Sequence, residues 1–170
     1  MNALVVHESM YGNTEEIACA IAEGLAEHTR VVPVELLTDE ILAGVDFLVI
    51  GGPTHAHGMS RPATRTSAQQ DGATNANVEV GVRDRIPSLG RRDIAAATFD
   101  TRIDKPRVVT GAASKGIAKL LHRCGYSVVV APESFLVAGT TGPLVAGELE
   151  RARGWGQSLR ARLEASSSVA

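Results

Sequence analysis

Apolar and polar positions alternate in blocks along the chain. Ala3 to His7 (ALVVH) is an apolar run of strand length, and Ile17, Ala18, Ile21, Ala22 and Leu25 follow at the spacing of one helical face. Val31 to Leu36 has β-branched character, and DFLVIGG (Asp46 to Gly52) reads as a fully buried strand ended by glycines. DIAAATF (Asp93 to Phe99) is a third central run, rich in alanine, a poor strand former. SKGIAKLLHRCG (Ser114 to Gly125) predicts a helix stopped by glycine. SVVVAPESFLVAG (Ser127 to Gly139) predicts a long strand interrupted by Pro132, and Leu144 to Leu163 a final helix weakened by Gly154 and Gly156. The expected unit is one domain over residues 1–164, with ASSSVA (165–170) as a frayed tail.

Strands alternating with helices imply a parallel sheet covered by helices on both faces. Right-handed crossovers leave few topologies. Ligands in such sheets bind beyond the carboxyl ends of the strands, where the winding direction switches. The three loops that matter therefore begin at Glu8, at Gly52 and at Thr98.

Composition narrows the classes. At 170 residues, with 44% hydrophobic and 21% charged, the chain suits one globular domain with a full core. Its apolar runs fall short of the roughly 20 residues of a membrane helix, and it opens without a basic-then-apolar leader; the expected location is cytoplasmic. Cys19 and Cys124 lack CxxC spacing, so neither a disulfide framework nor a zinc ribbon is indicated. Residues 1–50 hold nine acids against one base, Arg30, whereas the remainder holds ten acids and sixteen bases. The bases are scattered among acids rather than striped, which argues against nucleic acid as a partner.

SMYGNT (Ser9 to Thr14) stands where the first strand feeds the first helix. Amides at a helix N-terminus attract phosphate. Ser9, Tyr11, Asn13 and Thr14 add hydroxyl and amide donors, and Gly12 lets a backbone approach closely. No Lys or Arg precedes Arg30, so the donors are neutral. The Walker sequence GxxxxGK[ST] is absent, as is GxGxxG after a strand, which excludes the common triphosphate and dinucleotide loops.

This hexapeptide resembles the phosphate loop of the flavodoxin family, T/S-x-T-G-x-T, with Tyr11 at the middle hydroxyl position. SMYG is closer still to the loop of flavodoxin-like quinone reductases. The resemblance implies a doubly wound five-stranded parallel sheet in the order 2-1-3-4-5, with flavin mononucleotide (FMN) at the strand ends, its phosphate on Ser9, Met10, Tyr11, Gly12, Asn13 and Thr14. It implies that the second loop flanks the flavin ring through Pro53, Thr54, His55, Ala56, His57 and Gly58, with a backbone group near Gly58 facing the flavin N5. It assigns the third loop to TFDTR, with Thr98, Phe99, Asp100 and Arg102 at the site and Phe99 as the stacking ring; a core phenylalanine is the competing reading.

Two other chemistries compete for these residues. His7, His55 and His57 with Glu8 or Asp100 could hold zinc, although HxH in a loop is a weak signal. A phosphoacceptor domain of the same fold needs acidic pairs after the first strand and an Asp after the third, where this chain has HES and GGPT. Within the flavin reading, a carrier serving a redox partner protein stands against an oxidoreductase using NAD(P)H. Arg61 and Arg65 after the second loop, and Arg83, Arg85, Arg91 and Arg92 before the fourth strand, offer an anion-binding surface that favours the enzyme.

Overall fold

The computed structural model describes residues 2–74 and 77–167. In chain order the elements are β1 (Ala3–His7), α1 (Asn13–Leu25), β2 (Arg30–Pro33), a short 3-10 turn, α2 (Asp39–Leu42), β3 (Phe47–Pro53), α3 (Pro62–Gln70), α4 (Val82–Ser88), β4 (Ala95–Ile103), α5 (Arg107–Thr110), α6 (Ala113–Arg123), β5 (Ser127–Val128), β6 (Glu133–Val137) and α7 (Glu148–Ser167). The sheet runs β2-β1-β3-β4-β5, all parallel, with β6 also pairing β4. This is the predicted order, with the fifth position shared by two strands. Pro132 falls in the break between them: four residues, 129–132, stand against two, Ala97 and Thr98.

The three central strands are buried on both faces, which is why they read as unbroken apolar runs. Alternate residues face opposite layers. Ala3, Val5, Phe47, Val49, Ala97 and Phe99 pack with α1 and α7. Leu4, Val6, Leu48, Ile50 and Ala96 pack with Ile86 of α4 and with Ile117 and Leu121 of α6. Met10 joins Ala68 and Ala73 in a small third cluster, which sets α3 against the loop after β1.

Three differences from the expectation have physical reasons. The segment 58–90, featureless by periodicity, holds two short helices. The fourth strand begins at Ala95 and continues to Ile103, so TFDTR lies inside the strand rather than in the loop after it. Alanine is tolerated there because a strand sandwiched between helix layers needs small residues more than intrinsic propensity. The final helix runs without a break through Gly154 and Gly156 as far as Ser167, the last described residue; 168–170 of the expected tail lie outside the described residues.

Those glycines are a packing device. A Cβ at Gly156 would stand 2.3 Å from the Ile21 carbonyl oxygen, and one at Gly24 only 2.1 Å from that of Arg153. Two glycines therefore let α1 and α7 touch backbone to backbone. Gly154 faces outward, with nothing within 4 Å.

The sheet's outer edges are short. β2 has four residues and ends at Pro33. Along β6 the free edge is taken by the segment that follows: Ala138 N–H donates to the Pro143 oxygen at 2.8 Å and Val145 N–H to the Leu136 oxygen at 2.9 Å. No helix among the described residues is long and apolar enough to cross a membrane.

The two helical glycines should respond oppositely to substitution. Gly156→Val should destabilise by about 2–4 kcal/mol, because backbone on both helices must move. Gly154→Ala should stabilise by about 0.5–1 kcal/mol through helix propensity alone. Urea unfolding of both variants checks this; equal effects would contradict the close helix crossing.

Candidate functional site

The loop from Ser9 to Gly12 closes on itself before α1 begins. The Gly12 amide donates to Ser9 Oγ at 3.1 Å, and Gly12 takes φ +92°, a conformation glycine adopts cheaply. A Cβ on Gly12 would meet nothing within 4 Å, so the space in front of the loop is open. The amides of Asn13 and Thr14, the first two residues of α1, find no side-chain acceptor among the described residues. The other long helix over the strand ends differs. The α6 amides of Ala113 and Ser114 donate to Thr54 Oγ1 at 2.9 Å and to Asp100 Oδ2 at 2.8 Å. Of these two helices, α1 is the one whose first amides meet no side-chain acceptor among the described residues.

That end opens into a cavity of about 230 Å³ lined by Met10, Tyr11, Asn13, Thr14, Pro53, Thr54, His55, Ala56, Thr101, Arg102, Ile103, Val137 and Thr140. Thr14 and Thr101 share a buried hydroxyl–hydroxyl bond of 2.7 Å that ties α1 to β4. The Asn13 amide group donates to the Thr141 oxygen at 3.1 Å, which brings the segment after β6 to the rim. Tyr11 departs from its expected role: its hydroxyl donates to the Ala68 oxygen at 3.4 Å, on α3. Ser9 turns into the loop and is buried, outside the cavity lining.

Pro53, Thr54, His55 and Ala56 line the cavity; His57 and Gly58 do not. His55 and Gly58 exchange both backbone hydrogen bonds, at 2.8 and 2.9 Å, so Ala56 and His57 form a two-residue turn with φ of +43° and +73°. Neither is glycine, so the turn holds strain of the kind found at binding sites. Gly58's own N–H is thereby occupied, which removes it as a donor to a ligand. Exposed His57 instead pairs with Gly111 at the end of α5.

The third loop requires the largest correction. Phe99 is fully buried, and its ring lies over Gly51, where an added Cβ would approach to 2.4 Å. Phe135 meets it edge-on at 6.2 Å. Phe99 therefore belongs to the core and cannot stack on a ligand. Thr98 is equally buried and donates to the Ser114 oxygen at 3.1 Å. Asp100 faces α6, not the cavity. Of the four residues expected from this stretch only Arg102 lines the cavity; Thr101, on the opposite side of the strand from Asp100, does so as well. Thr101, Ile103, Val137 and Thr140 carried no sequence signal beyond lying near strand ends.

The arginines after the second loop are largely structural. Arg65 is fully buried, donating through Nε to the Val78 oxygen (2.9 Å), through Nη1 to Ser60 Oγ (3.0 Å), and through Nη2 to the Glu79 oxygen (3.3 Å) and Asp84 Oδ2 (2.8 Å). Ser60 Oγ in turn donates to Glu8, whose other oxygen accepts the Val82 amide at 2.9 Å. Arg83 binds the Met59 and Ser60 oxygens, Arg85 the Glu35 oxygen, Arg91 the Arg123 oxygen, and Arg92 pairs with Asp39. Each of these guanidinium groups donates to at least one protein acceptor, while Arg91 stays exposed and the Nε atoms of Arg85 and Arg92 have no partner among the described residues. Arg61 alone is exposed without such a commitment.

Burial governs titration here. It pushes the Glu8 carboxyl up against the pull of Ser60, Val82 and Arg65, and the Asp100 carboxyl up against its bonds to Ser114 and Ser134 and the charge of Arg102. His7 and His55 are lowered by burial, His55 further by Arg65. Both histidines are thereby biased toward the neutral form. Among the described residues no group of three or more His, Cys, Asp or Glu is placed to hold a metal ion.

No protein-family model and no curated protein sequence matches the chain. Solved structures do. An oxidised flavodoxin 2 from Bacillus cereus superposes with a TM-score of 0.67 at 17% identity, over 95% of this chain and 99% of that one. A flavodoxin from the domain Archaea gives 0.63 at 16% identity, over 96% and 99%. A WrbA-like flavodoxin from Agrobacterium tumefaciens gives 0.60 at 20% identity, over 94% and 95%. With the sheet order above, these likenesses identify the fold: it is that of the flavodoxins.

Asp100 makes a pH test of this geometry. Its folded carboxyl holds a proton to higher pH than the unfolded one, so its contribution to stability is present at low pH and is lost as pH rises through the raised folded value. Asp100→Asn should remove that part of the decline in stability between the usual aspartate range and the raised value. Denaturant unfolding at a series of pH values measures it; parallel curves for the two proteins would show that folding leaves the proton affinity of Asp100 unchanged.

Proposed function

We propose that the chain binds FMN and acts as a flavin redox protein. One observation carries the reading: α1's N-terminus has no side-chain cap, and its first residues, Asn13 and Thr14, line a cavity walled by three strand-end loops. Asn13, Thr14 and the loop backbone would hold the phosphate with neutral donors. Thr54, His55 and Ala56 would flank the ring on one side, and Arg102 with Ile103 on the other. The flavin supplies the electron chemistry; the protein positions it and limits water. Neutral His55 adds no positive charge beside the ring, whereas Arg102 adds one.

Within this reading the carrier is favoured over the NAD(P)H oxidoreductase. Of the two arginines after the second loop that motivated a nicotinamide site, Arg65 is wholly buried and bonded within the protein, which leaves only Arg61 exposed.

Titrating the chain with FMN and following flavin fluorescence should show saturable binding at micromolar protein; its absence would sink the proposal. Gly12→Asn and Gly12→Asp impose the same backbone constraint but differ by one charge. Asp should weaken FMN at least about tenfold beyond Asn, while riboflavin, lacking phosphate, should not distinguish them. Anaerobic mixing of the loaded protein with NADPH separates the finer readings. The flavin spectrum should stay oxidised over minutes; rapid bleaching would restore the oxidoreductase.

A further inference from the structure

The link from β4 to α6 exposes the most prominent apolar side chains near the cavity. Val108 is 90% exposed and Val109 55%, and α5, which carries them, has no buried residue. This turn stands at the cavity's rim. Arg102, which lines the cavity, donates to the Lys105 oxygen at 2.5 Å and to Thr110 Oγ1 at 3.4 Å, and Gly111 pairs with His57 of the strained turn. Lys105 and Arg107 flank the valines and are exposed, as are Lys115 in the first turn of α6 and Arg61 after the second loop. Asp104 is the one acid in the same link. Of the acids in the first fifty residues, Glu15 and Glu16 lie on the first turn of α1 and do not line the cavity.

We infer that α5 and its cationic flanks form a docking surface for an acidic electron-transfer protein. A small anion needs a concavity; Val108 projects outward, which suits a protein face with an apolar centre ringed by carboxylates. The opposite charges would steer the encounter and the valine contact would hold it. The electron step rests on the FMN reading: one electron leaves a reduced metal centre in the partner and enters the flavin, and no atom is transferred. The docking step does not rest on it.

The test uses a plant-type [2Fe–2S] ferredoxin as a strongly acidic probe, titrated calorimetrically against the full chain with and without FMN. Binding should be saturable at low ionic strength and at least about tenfold weaker between about 20 and 200 mM salt. Lys105→Glu with Arg107→Glu should cost at least about tenfold, and Val108→Ser several-fold with the salt dependence unchanged. Reduced ferredoxin should reduce the loaded flavin more slowly in the same variants. Binding without FMN but no flavin titration would leave the docking intact and overturn the flavin reading alone. No binding, or binding indifferent to these variants, overturns the surface. So does a dimer that Val108→Ser dissociates, which makes a second copy the occupant. A loss of FMN affinity in Val108→Ser with ferredoxin binding intact would make the valines a flavin flank instead.

Discussion

A guanidinium can be shut away from water only if its donors are met, and Arg65 meets that condition by drawing four parts of the chain together. Its acceptors lie on Ser60, Val78, Glu79 and Asp84, and Ser60 passes the connection to Glu8 at the end of β1. The crowding is severe enough to require Gly81: a Cβ there would stand 2.5 Å from Arg65 Nη1 and 2.6 Å from Glu8 Oε2. The second loop thus hangs between a buried polar network at Ser60 and the carboxyl end of β3. Its strained turn is held over the cavity because both of its ends are fixed.

The helix N-termini above the sheet share one economy. Glu8 receives the first amide of α4, and Asp100 with Thr54 receives the first amides of α6. Strand-end side chains therefore do the work that an N-cap residue does elsewhere, at the cost of burying two carboxyl groups whose proton affinity rises in consequence. α1 differs from these two: it starts at Gly12 without a side-chain cap.

Much of this was legible in the sequence. Uniform apolar runs identified β1 and β3 because strands buried on both faces have no polar side, and SMYGNT marked the start of α1, whose first residues line the cavity. The errors cluster where tertiary packing overrides local pattern. The resemblance assigns TFDTR to a loop; Thr98 and Asp100 are instead polar partners of α6, and Phe99 is the ring that fills the gap left by Gly51. Arg65 looked like a surface cation because no periodicity distinguishes a buried arginine from an exposed one. Gly154 and Gly156 looked alike in the sequence. Only the neighbouring helix reveals that one is a contact and the other is not.

The treatment of the sheet's borders has a consequence for the chain in crowded solution. An open β edge offers a row of unpaired amides and carbonyls on which a foreign strand can build. Here one border is four residues long and finishes in a proline, and the other is partly claimed by the chain's own return segment at Pro143 and Val145. Little template remains for growth by strand addition. Fibril formation would first require the molecule to undo its own hem.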